Sequence, residues 1–147
     1  MITIVLADDD SDDRELVREA FDENRLSNPL VTVRDGHELM EYLRNEGAFR
    51  DRERYPRPGL ILLDLNMPRK DGREALAEIK ADPDLRSIPV IVLTTSQAEQ
   101  DVLESYDVGA NSYISKPVTV EALFHVIRIL GRYWFEIVDL PMHGGSR

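Results

Sequence analysis

GLILLDLNMPRKDG (59–72) runs through four consecutive large aliphatic residues, Leu60 to Leu63, before it meets Asp64. A strand with one wet face would alternate apolar and polar positions, and nothing polar interrupts this run. Near-continuous apolar stretches of strand length belong to strands buried on both faces, as in a parallel sheet sandwiched between helices. ITIVLA (2–7) and IPVIVLT (88–94) have the same character, and LVTV (30–33) and NSYIS (111–115) complete five expected strands. Amphipathic stretches of helical length lie between and after them, at 12–25, 36–46, 72–81, 98–107 and 119–134. In the first, Leu16, Val17, Ala20 and Phe21 share one face, while Asp12, Arg14, Glu15 and Glu19 stay polar. Strand–helix alternation repeated five times predicts an α/β fold, a doubly wound five-stranded parallel sheet with right-handed crossovers.

Five strand–helix units account for residues 1–134 and leave 135–147 as a C-terminal extension, so one domain and no output domain are expected. The closing HGGSR is expected to fray. The longest linker, NEGAFRDRERYPRPG (45–59), is charged, carries two prolines and reads as a surface loop. At 147 residues and 42% hydrophobic composition, the chain can bury an ordinary single core.

The net charge of −10 argues against non-specific nucleic-acid binding and against a polybasic membrane anchor. No apolar run approaches the roughly 20 residues needed to span a bilayer. The N-terminus lacks the basic and small-residue pattern of an export signal. With no cysteine, disulfides and thiolate metal sites are excluded, and a cytoplasmic location is expected.

Ligands of open parallel sheets bind beyond the C-terminal strand ends, where the strand order reverses. The first strand runs into ADDDSDD (7–13), five carboxylates in seven positions. Helix capping by Asp10, Ser11 or Asp12 explains one or two of them. It leaves Asp8 and Asp9, still attached to the strand, without a use. Clustered acids repel one another and carry raised pKa values, and a hard cation such as Mg²⁺ relieves both. Asp64 ends the third strand, Thr94 and Thr95 the fourth, and Lys116 follows the fifth. A strand-end aspartate beside a divalent ion is suited to nucleophilic attack on phosphorus. Each residue taken singly has an ordinary structural use, as a turn, a buried hydroxyl or a solvated lysine. Together at one sheet edge they point to phosphate chemistry.

From Ile2 to about Leu130 the chain resembles the response-regulator receiver domain of two-component signalling. The resemblance rests on the Asp8–Asp9 pair, Asp64 within DLNMPxxDG, Thr94, and Lys116–Pro117, with Thr94 lying 30 and Lys116 lying 52 residues beyond Asp64. It implies the flavodoxin-like strand order 2-1-3-4-5. Asp64 would be the phospho-acceptor, taking a phosphoryl group from the phosphohistidine of a sensor histidine kinase. Mg²⁺, with Mn²⁺ able to substitute, would be held by Asp9, Asp64, the backbone carbonyl of Asn66, and Asp8 through water. Thr94 and Lys116 would contact phosphoryl oxygens, with Thr95 beside them influencing hydrolysis. Tyr113 would be the switch aromatic, and Lys116–Pro117 a cis peptide. Such a domain catalyses only its own phosphorylation and dephosphorylation and is not otherwise an enzyme.

The last helical stretch is apolar over more than half its circumference, wider than packing on its own sheet requires. This suggests a homodimer using Phe124, Ile127, Tyr133, Trp134 and Phe135. The tail RYWFEIVDLP (132–141), the TTS at 94–96 and the charged insertion together resemble the receivers partnered with bacterial phytochrome histidine kinases. A haloacid-dehalogenase-type phosphatase would need a second Asp two positions beyond the nucleophile, where Asn66 stands. A non-phosphorylated pseudo-receiver, acting as an interaction adaptor, is the principal alternative. His37, His125 and His143 are expected to be solvated.

Overall fold

The computed structural model describes residues 2–67, 71–105 and 109–130, with backbone alone for 127–130. Five strands, β1 (Ile4–Ala7), β2 (Leu30–Val33), β3 (Leu60–Asp64), β4 (Val90–Thr94) and β5 (Ser112–Ser115), form one sheet in the order β2-β1-β3-β4-β5. All four pairings are parallel. Helices α1 (Ser11–Glu23), α2 (Gly36–Arg44), α3 (Gly72–Ala81), α4 (Gln97–Ser105) and α5 (Val120–Leu130) follow the strands in turn.

The uninterrupted apolar runs are explained by two cores on opposite faces of the sheet. Because side chains alternate along a strand, Ile4, Leu6, Leu60, Leu62, Ile91 and Leu93 face one core, closed by Val17 and Phe21 of α1 and Leu123 and Phe124 of α5. Val5, Ala7, Ile61, Leu63, Val90 and Val92 face the other, closed by Leu39 and Leu43 of α2, Leu76 and Ile79 of α3, and Leu103 of α4. Every residue of β1, β3 and β4 is buried.

Element ends depart from the sequence reading by a residue or two, for local reasons. The first helix starts at Ser11 because the Asp10 carboxylate accepts hydrogen bonds from the N–H groups of Asp12 and Asp13. The second stops at Arg44, where Asn45 adopts the left-handed conformation at φ 53°. The expected end of the fourth helix at 107, residues 131–134 of the last helix and the 135–147 extension lie outside the described residues.

The 45–59 insertion is more than a surface loop. It carries a 3₁₀ turn at Gly47–Phe49 and closes on α2 through an aromatic trio. Tyr42, Phe49 and Tyr55 pack edge to face with ring centroids 5.1–5.9 Å apart. The Tyr42 hydroxyl donates to the Pro56 carbonyl at 2.7 Å, and Asn45 Nδ2 donates to the carbonyls of Phe49 and Tyr55. Burial pushes the Tyr42 phenol up to about 12, with the nearby Tyr55 adding to the effect.

One glycine matters to the site. A Cβ on Gly72 would stand 2.5 Å from the Asp64 carbonyl oxygen and 2.5 Å from Leu65 Cα, while its N–H donates to the Leu65 carbonyl at 2.9 Å. Only a residue without a side chain lets the start of α3 come this close to the end of β3.

Candidate functional site at the C-terminal sheet edge

The parallel register lines up the chemistry. Asp64 pairs with Leu93, and one position further out Thr94 pairs with Ser115, so that Asp64, Thr94 and Lys116 leave three neighbouring strands at the same edge. Asp8 leaves β1 on the other side of β3, and its N–H donates to the Val33 carbonyl.

The β1–α1 connection holds its acids in separate roles. Asp8 is 1% exposed; its Oδ1 accepts from the Asp10 N–H at 3.0 Å, and Arg14 Nη1 donates to its carbonyl at 2.8 Å. Asp9 is exposed. Asp10 caps α1, as one of the three residues considered for that use. Asp64, 5% exposed, has both carboxylate oxygens engaged. Oδ1 accepts from the Asn66 N–H at 2.9 Å, and Oδ2 accepts from Lys116 Nζ at 2.7 Å.

Lys116 is the hub. Its ammonium also donates to Asp13 Oδ2 at 2.9 Å and sits 3.0 Å from Asp8 Oδ2. Burial alone would lower the lysine, but the carboxylates of Asp64, Asp13 and Asp8 together hold it well above its ordinary value. Asp8 is shifted upward in turn, because burial outweighs the Asp10 N–H and the ammonium that favour its charge. The backbone of Lys116 is fixed by its N–H, which donates to the Thr94 carbonyl at 2.7 Å, and the Lys116–Pro117 bond is cis, as expected.

The donor set fits a divalent cation. Asp8, Asp9 and Asp64 each offer a carboxylate oxygen, and the three oxygens lie within 4.8 Å of one another. Asp8 Oδ2 is buried, and its approach to Lys116 has the distance of an ion pair without hydrogen-bond alignment. A buried acceptor with no aligned donor, beside two further carboxylates, is what a hard cation with oxygen ligands satisfies.

The remaining expected residues are placed unevenly. Thr94 is fully buried, with its Oγ1 3.5 Å from Ser115 Oγ. Tyr113 is half-buried and packs against the core that contains Leu103 of α4. Thr95, expected beside the phosphate, lies past the end of β4, where its N–H and hydroxyl both bond the Glu99 carboxylate at 3.3 Å. Of the five residues expected at a dimer face, Phe124 is instead 9% exposed within the chain's own core, because the apolar face of α5 turns it towards the sheet with Val120 and Leu123. The side chain of Ile127, and Tyr133, Trp134 and Phe135 altogether, lie outside the described residues. Asp13 was not singled out by sequence reasoning: as the last acid of ADDDSDD it looks like any first-turn carboxylate.

A doubly wound parallel domain thus gathers an acid triad suited to a cation, a buried threonine and an ammonium at one strand edge. The chain belongs to the response regulator receiver domain family, whose pattern matches residues 4–128. It is 45% identical over 138 residues to the response regulator Rcp1 of Synechocystis sp. (strain ATCC 27184 / PCC 6803 / Kazusa), covering 94% of this chain and 92% of Rcp1. The Mn²⁺-bound form of Rcp1 matches with a TM-score of 0.70 over 96% of this chain and 99% of that one, at 44% identity. The bacteriophytochrome response regulator RtBRR matches with a TM-score of 0.83 and 43% identity over 91% of this chain and 80% of that one. The phosphorylated cyanobacterial phytochrome response regulator RcpA matches at 0.72 and 46% identity, over 95% of this chain and 98% of that one. Among the described residues, no helix is long and apolar enough to cross a membrane.

Proposed function

We propose that the chain is a phosphorelay receiver that takes a phosphoryl group onto Asp64 from the phosphohistidine of a sensor histidine kinase. The observation that carries this is the hold on Asp64. Its two oxygens are bonded separately, by the Asn66 N–H and by Lys116, at a strand end beside Asp8 and Asp9. A nucleophile fixed in this way has little orientational freedom left to lose, and phosphoryl transfer depends chiefly on alignment and charge neutralisation.

In the transfer, an Asp64 carboxylate oxygen attacks phosphorus. The new P–O bond makes an acyl phosphate, the P–N bond to the kinase imidazole breaks, and the histidine leaves with its electron pair. Asp8, Asp9 and Asp64, with the Asn66 carbonyl, would hold Mg²⁺ or Mn²⁺, which when bound supplies positive charge against the phosphoryl oxygens. Lys116, bonded to Asp64 Oδ2 at 2.7 Å, supplies a second positive charge beside the nucleophile. Thr94, at the adjoining strand end, offers a hydroxyl donor, and its movement would give Tyr113 room to turn inward. The chain acts on no separate substrate and catalyses only its own phosphorylation and dephosphorylation.

Likeness to RtBRR and RcpA favours a phytochrome-class kinase as the upstream partner, in the cytoplasm, with the signal passed on through a protein surface and a homodimer. Intact-mass measurement after incubation with acetyl phosphate and Mg²⁺ tests the reading. One added phosphoryl group on the wild type and none on Asp64→Asn is expected. No addition to the wild type, or equal addition to both, refutes it and leaves the adaptor alternative.

A further inference from the structure

We propose that Asp13 is a positioning residue that holds Lys116 aside when a divalent cation occupies the acid triad, and so sets the affinity of the site for that cation. This rests on the receiver reading above and extends it to a residue outside the expected ligand set.

An ammonium has three N–H donors. In this structure two are well aligned, to Asp64 at 2.7 Å and to Asp13 at 2.9 Å, while Asp8 Oδ2 at 3.0 Å is unaligned. Two of the three carboxylates around Lys116 are thus the same ones that form the candidate cation site with Asp9. A cation bound there draws on the charge of Asp8 and Asp64 and repels the ammonium. Among the described residues, Asp13 is the carboxylate partner of Lys116 that stands outside the triad, so it is left to hold it. Without Asp13, the described carboxylates beside the ammonium would be the cation's own ligands, and it would compete for them.

Geometry suits Asp13 to this task. It sits in the first turn of α1, whose start is fixed by the Asp10 cap, and Asp10 is bonded in turn to Asp8 Oδ1. The Asp13 carboxylate therefore keeps a set position relative to the triad. Its side chain is 29% exposed, against 1% for Asp8, so it stays in contact with solvent while still reaching Lys116, 103 residues further along the chain. Asp12, one residue earlier in the same turn, is exposed and makes no contact with Lys116, which provides a matched control for loss of one negative charge.

Calorimetric titration of the metal-free full chain with Mg²⁺ alone tests the assignment. Asp13→Asn is expected to weaken Mg²⁺ binding about tenfold, at the low end of losses for residues acting through a neighbour of a metal site. Asp12→Asn is expected to change it less than about twofold, because an exposed charge is screened. Asp13→Glu keeps the charge and should recover most of the loss. The decisive comparison is made in a Lys116→Ala background, where Asp13→Asn should alter affinity less than about twofold if it acts through the lysine. Equal losses from Asp12→Asn and Asp13→Asn, or the same loss with and without Lys116, overturn the assignment. If that happens while the wild type still binds Mg²⁺ and is phosphorylated on Asp64, the receiver reading stands. If the wild type does neither, both fall.

Discussion

Replacing Gly72 with alanine tests whether the end of β3 depends on the close approach of α3. The added Cβ would meet the Asp64 carbonyl oxygen and Leu65 Cα, both at 2.5 Å, and neither belongs to a side chain that could swing away. Relief requires the backbone of β3 or of the first turn of α3 to move. Overpacking of this kind costs about 1–3 kcal/mol, and two backbone contacts place it near the upper end. Alanine returns about 0.5–1 kcal/mol through its higher helix propensity. The net loss is therefore about 2 kcal/mol, or a fall in Tm of about 4–8 °C for a domain of this size. The displaced residue is the proposed nucleophile, so phosphorylation by acetyl phosphate should slow by about tenfold as well, since small misplacements of reacting groups are costly. Thermal unfolding and time-resolved intact mass read the two effects, with the neighbouring exposed Arg73→Ala as control. An unchanged or raised Tm would mean that helix propensity outweighs the contact, and the argument from close approach would fail.

Tyr42→Phe removes one buried hydrogen bond and keeps the ring, so a loss of about 1 kcal/mol is expected with phosphorylation unaffected. Burial pushes the folded phenol up to about 12, against its ordinary 10.0, so the unfolded chain loses that proton first. Wild-type stability should thus fall between these pH values and the gap to Tyr42→Phe should narrow; a constant gap in alkaline unfolding curves would contradict it. Burial raises the Asp8 carboxyl above its ordinary 3.8, so its ionisation costs the metal-free fold stability as pH climbs through and beyond that value. Metal-free Asp8→Asn should accordingly be at least as stable as wild type at pH 7 and lose that advantage in acid, whereas a deficit at every pH would argue against a penalised carboxylate. Mg²⁺ at a hundred times its Kd should stabilise the wild type by about 2.7 kcal/mol and Asp8→Asn by much less. Light scattering on a sizing column should find a wild-type dimer that Trp134→Ala weakens; a wild-type monomer would refute the dimer proposal.

What sequence reading reached, and what it missed, divides along local and non-local lines. Residues 59–64 announced a strand buried on both faces because four aliphatic residues in a row leave no face for water, and the two cores on either side of Leu60–Leu63 bear this out. Asp8, Asp9 and Asp64 were legible because each ends such a strand, and a parallel sheet brings such ends to one edge. The insertion was not. Its charged composition suggested a loop, and nothing in NEGAFRDRERYPRPG reveals that Phe49 and Tyr55 close on Tyr42 with Asn45 bonding across the turn. Phe124 was misjudged for a related reason: the breadth of an apolar helix face shows that something covers it, not which side chains the sheet covers first. Asp13 was hidden by its surroundings, since a carboxylate in the first turn of a helix has a sufficient local explanation and its bond to Lys116 spans 103 residues.

The contact between Asp13 and Lys116 also changes how the acidic cluster is understood. Judged from sequence, carboxylates crowded at one strand edge should repel one another until a cation arrives. In the folded chain, Lys116 already stands among three of them at 2.7–3.0 Å, so the metal-free site is partly neutralised from within. The relief is incomplete, because Asp8 Oδ2 has no aligned donor and Asp9 lies outside the contacts of the ammonium. A divalent cation would therefore meet a site in which one positive charge is already present and must be shifted, not a bare group of anions. That lowers the drive for binding, because the ammonium and the cation repel each other. It also makes the carboxylate that takes Lys116 over, and not only those that hold the cation, a determinant of when Asp64 is ready to accept a phosphoryl group.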